Sequence, residues 1–263
     1  MPEPDGLGAS VAFDRAADYY DRTRAVSPRA MAGVVGLLAA EFRERGRVLE
    51  VGVGTGRIAL PLAEAGVAVA GVDLSRPMMD RLVQKAGRRS PVPLAVADAT
   101  TLPFAGGTFG AAYAAHVLHL IPAWPDAVRE LVRVVRGGGV VLVDRGGWQS
   151  LAHEIGERFG QEAGVAAQVG MAVDEILALD ELMASMGAHL RLLPEVENVQ
   201  RVTLEEIIGS LERGEYSATW WVSESDRHRA AAAVRTWAAE RYGDLTEPRT
   251  LRVAIRWRAY DLP

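Results

Sequence analysis

Glu50-Val51-Gly52-Val53-Gly54-Thr55-Gly56 is the stretch on which the fold reading turns. A strand-like run, Arg47-Val48-Leu49, enters it, and a helix-like run, Ile58-Ala59-Leu60-Pro61-Leu62-Ala63, leaves it. Glycines at alternate positions let the backbone turn sharply and approach a ligand without Cβ clashes. A following helix points its free N–H groups back at the same place. Strand, glycine loop and helix in this order open a parallel α/β unit with a nucleotide-type ligand site.

Outward from the loop, short apolar runs alternate with helical patterns. The pattern predicts strands at 47–51, 67–72, 92–96, 109–115 and 139–144. Helices are expected at 56–65, 75–86 and 123–135, with a shorter one at 117–121. This alternation signals βαβ units and a parallel sheet. Ser27-Pro28 reads as an N-cap followed by Pro at the first helical position, opening a helix through Phe42. After Asp144 the pattern changes: helices over 148–187, a strand from His189 to Val202 that is irregular at Pro194, a capping-box start at Thr203, a helix at 224–242 and an alternating strand from Thr250 to Tyr260. Residues 1–10 read as disordered.

The chain has 263 residues, 49% hydrophobic and 24% charged, with a net charge of −5. That is an ordinary globular composition. The acidic balance disfavours nucleic acid, which selects basic faces. No apolar run is long enough to span a membrane, and the acidic N-terminus lacks a signal core, so a cytoplasmic protein is expected. With no cysteine, disulfides, thiolate metal sites and cysteine nucleophiles are excluded. Lys85 is the only lysine, so a mechanism that needs one has a single candidate.

The glycines alone leave two ligand classes open. Gly54-Thr55-Gly56-Arg57-Ile58-Ala59 also satisfies the G-x-G-x-x-A dinucleotide pattern. Asp73, ending the second predicted strand, suits the ribose hydroxyls of either class. Three features favour an adenosine ligand with a cationic end. Glu50 precedes the loop, where a carboxylate would repel a diphosphate. Asp98, in Ala97-Asp98-Ala99-Thr100, offers an acceptor for an adenine amino group. The Tyr-x-x-x-Lys pair of short-chain dehydrogenases is absent, because Arg81 stands four residues before Lys85.

From about Tyr20 to Asp144 the sequence resembles the class I S-adenosylmethionine-dependent methyltransferases, of the small-molecule type that includes quinone-biosynthesis enzymes. The resemblance rests on five motifs in order: Val48 to Gly56; Gly71-Val72-Asp73-Leu74-Ser75 with Met78-Met79; Ala97 to Phe104; Ala115-His116-Val117-Leu118-His119; and Glu130 to Gly139. The chain departs from the family at Gly110, where Asp is usual, and at Gly137, where Pro is usual.

The resemblance implies S-adenosyl-L-methionine as cofactor. It implies Gly52, Val53, Gly54 and Gly56 around the methionine part, with Glu50 reaching its ammonium through water or a backbone group. It further implies Asp73 on the ribose, Leu74 and Met78 on the adenine faces, and Asp98, Ala99 and Thr100 at the adenine edge. Tyr20 and Arg24 would meet the methionine carboxylate or methyl site, or simply end a helix. Arg57 is expected to pair with a surface acid. His116 follows the fourth strand, where acceptor and methyl group meet in this fold. His116 and His119, three apart, are general-base candidates or polar wall residues, and no further ligands support a metal site. Trp148, Tyr216, Trp220 and Trp221 are candidates for an apolar substrate pocket, or for packing of the cap on the sheet.

The expected architecture is α/β: a Rossmann-like, doubly wound sheet of seven strands, mostly parallel, with the last strand (250–258) antiparallel beside the sixth (189–201). The chain would form one domain, with core segments 27–146, 188–202 and 249–260. A helical cap is expected over 147–187 and 203–246, and an N-terminal lid over 11–26. The acceptor is expected to be a small organic molecule: no Asn-Pro-Pro-Tyr or Asp-Pro-Pro-Tyr tetrapeptide marks a nucleic-acid methyltransferase. The readings left beside this one are a cofactor-binding protein without transferase activity and an NAD(P)-dependent oxidoreductase. Composition fixes no oligomeric state.

Overall fold

A computed structural model describes residues 10–24, 26–87, 90–144, 146, 151–165, 170–172 and 174–263. Trp148 lies outside the described residues. The chain runs α1 (Tyr20–Thr23), α2 (Pro28–Phe42), β1 (Val48–Val51), α3 (Ala59–Glu64), β2 (Val69–Asp73), α4 (Arg76–Lys85), β3 (Leu94–Val96), β4 (Phe109–Ala115), α5 (Trp124–Val134) and β5 (Val135–Asp144). It continues through α6 (Leu151–Ala163), α7 (Ile176–Ser185), β6 (His189–Leu192), β7 (Val196–Val202), α8 (Leu204–Glu212), α9 (Glu224–Tyr242), β8 (Arg249–Ile255) and β9 (Arg258–Asp261).

Seven strands form one sheet in the order β3-β2-β1-β4-β5-β9-β6. The first five are mutually parallel. β9 inserts antiparallel between β5 and β6. The strand order reverses between β1 and β4, which places a crevice at the carboxyl ends of those strands. One face packs on α5 and α7 through Leu49, Val51, Val128, Leu131, Leu179 and Met183. The other packs on α2, α3 and α4 through Leu38, Phe42, Leu62, Met79 and Leu82. A separate apolar core joins α6, α8 and α9 through Ile155, Phe159, Leu204, Ile208 and Val234.

Two expected strands are each divided. The 189–202 run splits into β6 and β7 around Pro194, which has no N–H to give to a ladder. The 250–260 run divides between Ile255 and Arg258, where Trp257 is buried at 1% exposure. β7 and β8 pair with each other as a second, antiparallel two-stranded sheet. The expected helix at 117–121 is a short 3-10 turn, Leu118–Leu120.

Candidate functional site

β1 ends directly in the glycine loop. Gly52 and Gly54 adopt φ +76° and +53°, the left-handed region that glycine enters without steric cost. A Cβ on Gly52 would lie 2.7 Å from the Val117 side chain. The Gly54 N–H donates to Asp73 Oδ2 at 2.8 Å, and the Ser75 N–H donates to Oδ1 at 2.8 Å. The tip of β2 is thereby locked to the loop. Burial pushes the Asp73 carboxyl up, against the two N–H groups that hold it as an anion.

A cavity of about 1040 Å³ opens from this junction toward α6, α8 and the β7–β8 sheet. Its lining includes Gly52, Gly54, Asp73, Leu74, Met78 and Ala99 at one end. His116, His119, Tyr20, Arg24 and Tyr216 also border it. The structure therefore gathers eleven of the residues singled out from sequence around one space. The Arg24 guanidinium sits 4.1 Å from the centroid of the Tyr216 ring, and burial lowers its pKa.

Other singled-out residues stand behind this wall. Glu50 is buried at 3% exposure beneath the loop, and its Oε2 accepts from the Tyr113 hydroxyl at 2.7 Å. Burial pushes its carboxyl up to about 8, with the Tyr113 bond opposing that shift. Val53 points at β2, where a Cβ on Gly71 would strike it, and Gly56 packs under Leu82. Asp98 turns back on its own segment, accepting from the Thr100 N–H and hydroxyl, both at 2.8 Å. Trp220 is held outside the wall: its Nε1 donates to the Gly214 carbonyl at 3.0 Å and its ring packs on Phe13 at 4.7 Å. Trp221 is 53% exposed. Arg57, by contrast, lines the cavity; it pairs with no acid among the described residues and donates to the Arg24 carbonyl at 2.7 Å.

The cavity also has residues the sequence reading missed. Asn198 and Gln200 on β7, and Leu251, Val253 and Ile255 on β8, line it. Their period of two was visible, but not that the two strands leave the main sheet to form a separate one. Asp144 ends β5 with Oδ2 3.1 Å from His116 Nε2. The available signal was a lone acid closing a buried apolar strand. Among the described residues, no group of three or more His, Cys, Asp or Glu side chains forms a metal site.

A doubly wound sheet with a glycine loop on β1, a locked acid on β2 and a crevice at the switch point defines an adenosine-cofactor α/β protein. A family model described as a methyltransferase domain matches residues 49–143. The chain is 30% identical over 210 residues to 27-O-demethylrifamycin SV methyltransferase of Amycolatopsis mediterranei (strain S699), covering 77% of this chain and 72% of that one. It is 36% identical over 131 residues to a malonyl-(acyl-carrier protein) O-methyltransferase of Geobacter sulfurreducens, covering 49% of each. The chain thus spans about half the length of the first curated relatives it matches. In fold it resembles the YcgJ protein of Bacillus subtilis, with TM-score 0.61 and 17% identity over 89% of this chain and 98% of the other. The chain belongs to the S-adenosylmethionine-dependent methyltransferases.

Proposed function

We propose that this protein transfers a methyl group from S-adenosylmethionine to a small organic acceptor in the cytoplasm, in a chamber roofed by the cap. One observation carries the reading: the space beside Gly52, Gly54 and Asp73 continues, within the same cavity, to the apolar faces of β8 and α6. At about 1040 Å³ it reaches the upper end of the usual range for a single small-molecule site, roughly 300–1,000 Å³, and so suits two ligands. We read the chain as one unit, with core segments 27–146, 188–202 and 249–260 and a lid at 11–26; of the expected cap over 147–187 and 203–246, α7 packs on the sheet instead, leaving α6, α8 and α9 as the cap.

In this reading Asp73 accepts from the ribose hydroxyls with the lone pairs that Gly54 and Ser75 leave open. Leu74 and Met78 flank the adenine, and Ala99 presents its backbone at the adenine edge while Asp98 stiffens that turn. Gly52 and Gly54 let the backbone approach the methionine end. Arg24 offers positive charge to the carboxylate. Glu50 stands behind the loop bonded to Tyr113, and burial keeps it largely protonated near neutral pH, so it supports the loop rather than charging it. S-adenosylmethionine brings an activated methyl group and its own leaving group. The protein's part is to hold acceptor and methyl in line and exclude water. Leu251, Val253, Ile255 and Phe159 suit an apolar acceptor body, and Asn198 and Gln200 supply polar contacts.

Calorimetry with S-adenosylhomocysteine, NAD+ and NADP+ tests the cofactor, and transfer of labelled methyl to a metabolite panel tests the reaction. Binding of S-adenosylhomocysteine alone is expected. Binding of a nicotinamide dinucleotide in its place would refute the reading, and tight S-adenosylhomocysteine binding without transfer to any acceptor would favour a non-catalytic cofactor-binding protein.

A further inference from the structure

We infer that His116 and Asp144 form a base dyad in the cavity wall, and that the acceptor presents a hydroxyl group that is methylated on oxygen. The inference rests on the methyltransferase reading above. β4 and β5 are parallel neighbours, and the register pairs Ala115 with Asp144. The two strand ends therefore deliver the residues side by side. The His116 N–H donates to the Asp144 carbonyl at 2.8 Å, fixing the backbone of the pair. The ring Nε2 lies 3.1 Å from Asp144 Oδ2, while Oδ1 accepts from the Gly146 N–H at 2.8 Å.

Three features set this pair apart from an ordinary surface contact. His116 has φ +52°, and among the described residues only Glu44 is another non-glycine with positive φ. Such a conformation persists where the surroundings enforce it, and it recurs at functional sites. The Asp144 side chain is 4% exposed, yet among the described residues no arginine or lysine lies within ion-pair distance of it. Its Oδ2 faces the imidazole. The His116 side chain, 30% exposed, lines the cavity.

A carboxylate on one ring nitrogen fixes the tautomer and steadies the imidazolium, leaving the other nitrogen to take a proton. Asp144 Oδ2 faces Nε2, which on this inference carries the ring proton and leaves Nδ1 as the basic atom. An alcohol or phenol is protonated at neutral pH and gains from a base, by roughly 10²–10⁴-fold. A neutral amine attacks with its own lone pair and gains less. In the step, the acceptor oxygen bonds to the methyl carbon as its proton passes to His116 Nδ1. The carbon–sulfur bond breaks with its electron pair left on sulfur, and the positive charge ends on the imidazolium beside Asp144.

Two measurements test the dyad. Nitrogen-15 NMR of the histidine rings, on the protein without cofactor and with S-adenosylhomocysteine, should show His116 as the Nε2–H tautomer; a predominant Nδ1–H tautomer overturns the dyad. Labelled methyl transfer is then measured to 1-naphthol, 1,4-naphthoquinol and 4-hexylresorcinol, with 1-naphthylamine alongside. Transfer to a hydroxyl compound is expected. His116→Asn suits the left-handed backbone. It should lower kcat at least 100-fold, and Asp144→Asn at least 10-fold, with KM and the S-adenosylhomocysteine Kd within about threefold. Transfer to the amine alone, kcat unchanged in His116→Asn, or kcat falling only in step with KM and thermal stability would overturn it. If nothing is methylated while S-adenosylhomocysteine binds, the methyltransferase reading fails, and the tautomer still decides the dyad because it needs no turnover.

Discussion

Glu50 shows how a residue's neighbours, more than its place in a motif, set its chemistry. As the acid before a glycine loop it reads as a ligand-facing group. In the fold it lies under the loop against Tyr113, a partner 63 residues away that no local pattern reveals. Its carboxyl stands at about 8 in the fold, against an ordinary value of 4.5. Between those values the folded chain binds a proton that the unfolded chain has lost. The corresponding stability is complete below about pH 4.5 and drains away as pH rises through about 8. Glu50→Gln keeps the bond to Tyr113 without the charge. The stability of the variant relative to the native protein should rise steadily from pH 5 to pH 8.5, by roughly 3–5 kcal/mol, as read from urea unfolding. A difference that stays flat with pH would show that Glu50 is not titrating in that window. Asp73 is more legible than Glu50, because its partners, Gly54 and Ser75, are local and its place at the strand end is visible in the sequence. Asp73→Ala should weaken S-adenosylhomocysteine binding at least tenfold, and unchanged affinity in calorimetry would remove it from the ribose.

At the scale of the element, the departure at Gly110 has a physical cause. The register between β4 and β5 shifts between Phe109 and Ala111, and Gly110 sits at that irregularity. A Cβ there would fall on the carbonyl oxygen of Arg45. Across the ladder, a Cβ on Gly139 would come within 2.7 Å of the Gly110 carbonyl, so the two glycines share one crowded crossing. Gly110→Ala, and Gly110→Asp still more, should therefore destabilise by at least about 2 kcal/mol, seen as a lower denaturation midpoint with native-like far-ultraviolet dichroism. An alanine variant as stable as the native chain would mean that this crossing is looser than drawn. Strands β1 to β5 and their helices were legible because each carries its own apolar period. The divided strands were not, since β7 and β8 alternate just as strands of the main sheet would. The divisions fall at Pro194 on one side and at the buried Trp257 on the other, and only the burial depends on tertiary packing. The same limit explains the tryptophans. Trp220 reads from sequence as a pocket wall or as packing, and in the fold Phe13 of the N-terminal segment packs on it.

Among the described residues, the sheet with its helices and the α6–α8–α9 group have separate apolar cores, the cavity is lined from both, and the N-terminal segment contacts both. Asp21 accepts from the Thr55 hydroxyl at 2.6 Å in the glycine loop and from Lys85 at 3.0 Å on α4. Asp18 pairs with Arg81 on the same helix. One residue beyond Asp21, Arg22 reaches Glu215 of the cap at 3.3 Å, and Phe13 packs on Trp220. Exposed ion pairs of this kind are each worth about 0–1 kcal/mol, so together they can latch a segment without fixing it permanently. We take residues 11–26 as a strap whose release sets how fast the cofactor product leaves. Removing Phe13 or Asp21 should then act on kinetics more than on stability. In Phe13→Ala and Asp21→Ala, the dissociation rate of S-adenosylhomocysteine, followed by stopped-flow displacement, should rise about 5- to 10-fold, the scale of roughly 1 kcal/mol of lost latch. The melting temperature without ligand should move by less than about 4 °C, because neither contact belongs to either apolar core. If dissociation is unchanged in both variants, the segment is a fixed part of the wall. If the melting temperature collapses in either, that contact belongs to the cores and the strap does not open independently of them.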